Sequence, residues 1–324
     1  MPPRDFRYGR GCVQSDLDLS ELAPADAAST QGRPTLRLLE GVVEPVDRWI
    51  RDWTGAEGEV IRRLGQNDRG LVLAVGSHFQ YQLHADGASV TWSSSLPKGD
   101  CARILVHEVV PASFARQGHC IVHASAFDYR DGVIGIAGYS GAGKSTLAAA
   151  MAGGLPGVYS DDTLWIDTEE LRCWPGFVGS WLTPSALGAV SGLPKSGAPK
   201  PDEERVFIEG SREAQSPKSL LGMIHIVESE DGEEALFEAS PLPETALLFT
   251  LLSHWMHPNP SESHAAFVTQ TTELVNRIMG LQVKLPDSLA SLPACVQEIT
   301  RSLQEPGRSY RARYDARENR LNPC

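Results

Sequence analysis

No apolar run in this 324-residue chain is long enough to cross a bilayer, and the opening MPPRDFRYGRGC lacks the continuous apolar segment of a secretion signal. Both absences point to the cytoplasm and away from a membrane partner. Basic charge is scarce. Lys and Arg number 29 against 41 Asp and Glu, a net charge of −12, and a surface of that sign repels nucleic acid and anionic lipid alike. The exception is the end of the chain, GRSYRARYDARENRLNPC, whose five arginines between Arg308 and Arg320 read as a flexible, solvated basic tail over 305–324. Cysteine is also sparse and scattered. Cys12, Cys101, Cys120, Cys173, Cys295 and Cys324 include no pair spaced as a metal knuckle or redox couple, so they read as free thiols. His254, His257 and His264 gather in SHWMHPNPSESH without a neighbouring Cys or Asp to complete a metal set, and read as helix-surface and loop histidines. No internal repeat is present.

What is there begins with β-type patterning. LVLAVG (71–76), FQYQLHA (79–85) and ASVTWS (88–93) are short runs rich in β-branched and aromatic residues, divided by turn residues. Residues 1–117 therefore read as a mostly β N-terminal domain. Its last part, 101–118, reads as a helix kinked or broken at Pro111. The segments 119–129 and 131–138 read as two strands joined at a turn signal, Asp131-Gly132. An Ala-rich helix follows from Lys144 and is stopped by Gly153 and Gly154. Further strands are expected near 157–162, 163–167, 220–229 and 281–286. Helices are expected after Ser261 or Ser263, with Phe267, Val268, Leu274, Val275 and Ile278 on one face and closure at Gly280, and again from Pro293 to Gln304. TPSALGAVSGLPKSGAPKPDEE (183–204) reads either as a mobile loop or as a plain surface connection.

The chemistry centres on GYSGAGKST, Gly138 to Thr146. Gly138, Gly143, Lys144 and Ser145 complete G-x-x-x-x-G-K-[ST] between an apolar strand and a helix. In such a loop (Gly138, Ser140, Gly141, Ala142, Gly143) backbone N–H groups turn toward phosphate oxygens. The lysine neutralises the β- and γ-phosphates, the Ser145 hydroxyl ligates Mg²⁺, and the helix start, with Thr146, adds its positive end. ATP and Mg²⁺ are the expected ligands.

Asp161 and Asp162 follow Ser145 by sixteen and seventeen residues. A helix from Lys144 to Gly153 descends about 15 Å, and a strand from Gly157 to Asp161 climbs back about 16 Å, so the pair should return to the level of the phosphate loop. One carboxylate would serve Mg²⁺ and the other an incoming hydroxyl. Alternation along a strand would separate them unless the strand ends there; a strand-end pair that satisfies a turn is the other reading. Counting back across the turn near Arg130–Gly132 pairs His123 with a residue between Gly138 and Ser140, beside the loop, where it either supports the site or is a structural histidine. Lys200 and Arg205 either add positive charge for a transferring phosphoryl group or are solvated loop charges.

These residues resemble the HPr kinase/phosphorylase group of P-loop serine kinases, related in fold to PEP carboxykinase. His123 stands before Lys144, and Asp161-Asp162 after it, at that group's intervals. VHASA…GYSGAGKSTLA and the opening YGRGCVQSDLDLSEL are similar to the HPr-kinase-like proteins that include lasso-peptide kinases. The resemblance is motif-level over about 119–167. It implies an α/β kinase core with a mixed sheet over 118–304. It also implies that one of Asp161 and Asp162 is the base toward a serine hydroxyl, that the other holds Mg²⁺, and that His123 supports them. The acceptor would be a peptide or small protein, such as a ribosomally made precursor peptide, and the enzyme could be a homo-oligomer. One departure stands out. The group's downstream E-x-R-G-x-G element has no equivalent, the nearest segment being LRCWPGFVGSWL (171–182), so the reverse, phosphorolytic activity and HPr itself as substrate are not implied. From the residues alone, a small-molecule alcohol kinase and an NTP-dependent switch or ATPase without an acceptor remain open.

Overall fold

The computed structural model describes residues 3–25, 32–55, 57–153, 158–176, 179–190, 205–208, 216–228, 236–259, 263–305, 307–315 and 320–323. It divides into two compact units, Met1–Ile121 with Met256–Ser263, and Val122–Trp255 with His264–Cys324. The division falls after Ile121 rather than after residue 117, and residues 256–263 return to the first unit. That return is anchored by Met256 N–H donating to the Ile121 carbonyl at 3.0 Å.

The first unit is mostly β, as its alternating runs predict. Its strands are β1 (Arg4–Tyr8), β2 (Gly11–Ser15), β3 (Ala23–Pro24), β4 (Thr35–Glu40), β5 (Arg48–Thr54), β6 (Val60–Asn67), β7 (Gly70–Val75), β8 (Phe79–His84) and β9 (Ser89–Ser94). They form one sheet in the order β3-β1-β2-β4-β9-β8-β7-β6-β5. From β5 to β9 it is an antiparallel meander, whereas β2–β4 and β4–β9 pair in parallel. Helices α1 (Lys98–Ile104) and α2 (Val110–Arg116) follow. The expected break at Pro111 is absent. Instead Leu105–Val109 forms a π turn, and Val110 N–H reaches five residues back to the Leu105 carbonyl. Pro111 has no N–H to give a carbonyl four residues back, and widening the turn just ahead of it lets the helix continue.

The second unit holds the nucleotide-type motif. After β10 (Cys120–Val122) at the boundary come β11 (Ser125–Tyr129), β12 (Gly132–Gly138), α3 (Lys144–Met151), β13 (Val158–Ser160), β14 (Leu164–Asp167), β15 (Arg172–Pro175), β16 (Ser180–Leu182), α4 (Pro184–Ala189), β17 (Val206–Ile208) and β18 (Lys218–Val227). The chain closes with β19 (Leu236–Pro241), α5 (Glu244–Ser253), α6 (His264–Val275), β20 (Met279–Lys284), α7 (Leu292–Gln304), β21 (Tyr310–Asp315) and β22 (Arg320–Pro323). The sheet is mixed. β12 pairs antiparallel with β11 and parallel with β18, β18 continues in parallel to β20, and β13 lies antiparallel on the far side of β11. One face buries Ile134, Ile136, Ile224, Ile226, Phe237, Leu281 and Val283 against Leu147 and Ala148 of α3 and Cys295, Ile299 and Leu303 of α7. Helix α5 packs on the other face, over β12 and β18. This is the α/β layering that a fully apolar central strand requires.

Three expectations need correction. The basic tail is not a solvated end where it is described. β21 pairs with β19 and β22 with β21. Tyr310 packs on Phe237, Ala312 is buried, and Arg311 pairs with its cross-strand partner Glu238 at 2.7 Å. The arginines hide a period-two alternation that reads as strand. In the 183–204 segment, Thr183 caps α4 by accepting the Ala186 N–H at 3.2 Å, while 191–204, including Lys200, lie outside the described residues. Gly280 does not close a helix. It sits in β20, where a Cβ would come within 2.5 Å of the Leu242 carbonyl oxygen. The five described cysteines are free and buried, and Cys324 lies outside the described residues.

Ile224 sits at the centre of this packing with no exposed surface. Ile224→Ala is expected to lower unfolding free energy by about 2–5 kcal/mol through lost transfer energy and a residual cavity. Denaturant titration followed by a probe in the second unit measures it.

Candidate functional site

All seven residues of β12, GVIGIAG, are buried and none has a polar side chain, so what matters for the site is where the strand ends. It ends at Gly138. The loop Tyr139–Gly143 follows, with Gly141 at φ 89° and Gly143 at φ 88°, left-handed conformations that a Cβ would strain. Gly143 caps α3, and Leu147 N–H donates to its carbonyl at 2.8 Å. Lys144 is only 7% exposed. Its ammonium folds back over the loop and donates to the carbonyls of Gly138 and Tyr139, each at 3.0 Å. Burial lowers the lysine's pKa, the carboxylates of Asp162 and Asp161 oppose that, and Arg205 adds to it.

The two aspartates reach the same cleft because the strand stops. β13 ends at Ser160. The Ser160 hydroxyl donates to the Thr163 carbonyl at 2.5 Å, and Thr163 N–H donates to the Asp161 carbonyl at 2.7 Å. Between them Asp162 takes φ 63°, a left-handed conformation that Asp tolerates better than most residues. The tight turn cancels the alternation that would have sent the side chains to opposite faces, and both line the cleft with Lys144. Asp161 is 3% exposed and accepts the Ser125 hydroxyl at 2.6 Å.

His123 sits at a bend between β10 and β11, which interrupts the expected 119–129 strand; the pairing of β11 with β12 begins only at Ser125 and Ile136, so strand register does not place it. Its backbone N–H donates to the His254 carbonyl at 2.7 Å. Its Nδ1 lies 2.8 Å from the Asp162 carbonyl oxygen and 3.1 Å from Asp162 Oδ1. Both neighbours are acceptors, so Nδ1 carries the hydrogen. His254 is not a surface histidine: its ring lies 6.4 Å from that of His123 and 6.2 Å from that of His225. His257 is buried in the first unit, and His264 opens α6 on its exposed side.

The resulting cleft is about 430 Å³ and belongs wholly to the second unit, a volume within the range of small-molecule sites. The motif residues Ser140, Gly141, Ala142, Gly143, Ser145 and Thr146 line it, as do His123, Asp161 and Asp162. So does Arg205, an exposed residue. Sequence reasoning passed over Ser125, Trp181 and the 285–292 stretch with Asp287. Ser125 had a signal: in the expected strand 119–129 it stands two residues beyond His123, where it would share that residue's face. The 285–292 stretch had none, because only the fold brings it near the motif.

The arrangement can hold an anion and a hard cation together. A helix start and a buried ammonium attract phosphate-like charge. The Ser145 hydroxyl and the Asp162 carboxylate are oxygen donors of the kind that Mg²⁺ takes. Among the described residues no group of three or more His, Cys, Asp or Glu side chains gathers around a metal position.

His254 supplies a test of this electrostatic picture. Burial, helped by the charges of His123, Lys144 and His225, pushes its pKa down to about 4. In the unfolded chain an ordinary histidine protonates near pH ~6.5. Between those values the unfolded state binds more protons, so this group makes stability fall as pH drops through the window. His254→Gln should give a shallower decline of Tm than the unsubstituted protein between pH ~6.5 and ~4; parallel declines in thermal melts across that window would show that His254 is not held neutral. No protein-family model and no curated protein matches the chain, and what the cleft does is read from its own residues.

Proposed function

We propose that the chain is an ATP-dependent, Mg²⁺-requiring kinase that transfers the γ-phosphoryl group to a serine-type hydroxyl of a peptide or small protein. The observation that carries this reading is the convergence of Lys144, Asp161 and Asp162 on one cleft at the end of the GYSGAGKST loop. A phosphate grip alone suits switches and pumps equally well. A second carboxylate beyond the one that a metal needs suits a reaction in which a hydroxyl must lose its proton. The motif-level resemblance to HPr-kinase-like proteins agrees with this and extends it to a kinase core.

In this reading the loop amides and Lys144 bind the β- and γ-phosphates, and Arg205 adds positive charge at the rim. Ser145 and Asp162 hold Mg²⁺, with His123 fixing Asp162 through Nδ1. Bound there, Mg²⁺ supplies charge neutralisation on the phosphates. Asp161 takes the proton of the acceptor hydroxyl as the new O–P bond forms and ADP departs. A serine hydroxyl is a weak nucleophile at neutral pH, and a positioned base contributes on the order of 10²–10⁴-fold.

Three substitutions separate the roles. Lys144→Ala is expected to weaken ATP binding and abolish turnover, read by titration calorimetry with Mg²⁺ and by ADP release. Asp161→Asn should keep nucleotide affinity and lose about 10²–10⁴-fold in kcat. Asp162→Asn should raise the Mg²⁺ concentration needed for half-maximal rate. Exchanged phenotypes for the two aspartates would reverse their roles within the kinase reading. Full turnover in Lys144→Ala would remove the reading altogether. The acceptor is identified by a mass gain of one phosphoryl group on a serine-containing peptide.

A further inference from the structure

Ser125 has no exposed residue surface, yet it is part of the cleft wall. Its hydroxyl donates to Asp161 Oδ1 at 2.6 Å. The contact is dictated by pairing. Ala126 is the partner of Ser160 across β11 and β13, so the next pair outward sets Ser125 opposite Asp161, at the distance where cross-strand side chains meet. On its other side Ser125 is registered to Ile136 of β12, the strand that launches the phosphate loop. One hydroxyl thus ties the Asp161 carboxylate to the strand paired with the one that carries the loop.

We propose that Ser125 is a positioning residue for Asp161, an inference that rests on the kinase reading above. A carboxylate with one oxygen pinned cannot rotate freely about its Cβ–Cγ bond. Pinning Oδ1 presents Oδ2 as the atom that takes the acceptor's proton. Without the pin the carboxylate samples other rotations, and the fraction of time spent aimed at the acceptor falls. The hydroxyl touches neither phosphate nor metal in this account, so binding of nucleotide is untouched. The step itself is unchanged: the acceptor oxygen bonds to the γ-phosphorus, the bond to the β-phosphate oxygen breaks, and the proton moves to Asp161.

The test is a double-substitution cycle on the full chain, with Mg²⁺-ATP as the probe and ADP release as the readout, with water or a serine peptide as acceptor. Ser125→Ala is expected to lower kcat about tenfold with KM for ATP unchanged. Ser125→Thr, which keeps the hydroxyl, is expected to restore most of the rate. In the Asp161→Asn background Ser125→Ala should cost nothing further, because the group it positions can no longer act. Thermal melts of each variant show whether it is folded. A tenfold loss that persists in the Asp161→Asn background, or an unchanged kcat in Ser125→Ala while Asp161→Asn is impaired, overturns the positioning role and leaves the kinase reading standing. Phosphate found covalently on Ser125 also overturns it, since the hydroxyl would then be an acceptor. Normal turnover in Asp161→Asn overturns the inference, because the base then lies elsewhere, while no ADP release by the unsubstituted chain overturns the kinase reading and the inference with it.

Discussion

Strand β12 buries all seven of its residues and pairs on both sides, with β11 antiparallel and β18 parallel. A strand so placed has no freedom to slip. A one-residue shift would turn Ile134 and Ile136 out of the α3–α7 layer and remove two fully buried side chains, each contributing about 1.5–3 kcal/mol. The position of Gly138, and so of the loop and Lys144, is therefore set by apolar packing some distance from any charge. The same strand fixes β11, which fixes β13. Ser125 takes its position from that ladder, and Asp161 and Asp162 follow directly on the strand β13 that the ladder ends in. The site's geometry is a consequence of sheet register, and the polar groups inherit it.

Charge in the cleft is held close to balance by groups that oppose one another. Burying an ammonium without partners is costly. Lys144 meets that cost with two carbonyl acceptors and with the fields of Asp161 and Asp162, while Arg205 pushes the other way. The outer ion pairs are a different matter. Arg4–Asp18 and Arg308–Glu305 are solvent-exposed, and pairs of that kind contribute about 0–1 kcal/mol. His254 and His225 stand behind His123 with their pKa values lowered by burial. Kept neutral, they add no positive charge next to Lys144, and His254 serves His123 through its backbone carbonyl.

Local features of the sequence carried a good part of this. The glycines at 141 and 143, the strand-to-helix setting of Lys144 and the counting that returned Asp161 and Asp162 to the loop all depend on neighbours in the chain, where pattern rules are strongest. The pairing of Ser125 with Ile136 also rests on one short hairpin, whereas His123 lies at a bend that the expected 119–129 strand did not foresee. What escaped depends on contacts between distant segments. Nothing near Leu285–Leu292 announces that it walls the cleft, and nothing near Met256 announces its return to the first unit. The tail was misread for a different reason: a run with many arginines looks like disorder when counted as charge, and the alternation of Tyr310, Arg311 and Ala312 carries the information that the count discards.

The turn at Asp162 shows why a motif match stops short of a mechanism. In an uninterrupted strand, residues 161 and 162 would face opposite sides of the sheet, and only one carboxylate could meet the GYSGAGKST loop. That arrangement would serve a metal and nothing more, as a switch requires. Ending β13 at Ser160 and forcing φ 63° at residue 162 gathers both carboxylates on one side. A left-handed non-glycine residue costs on the order of 1 kcal/mol or more, and here it is offset by the Ser160–Thr163 and Asp161–Thr163 hydrogen bonds and by His123 on the Asp162 carbonyl. A chain that maintains such a turn gains a second carboxylate at the cleft. The further carboxylate is the part that proton removal from an acceptor calls for and that nucleotide binding does not.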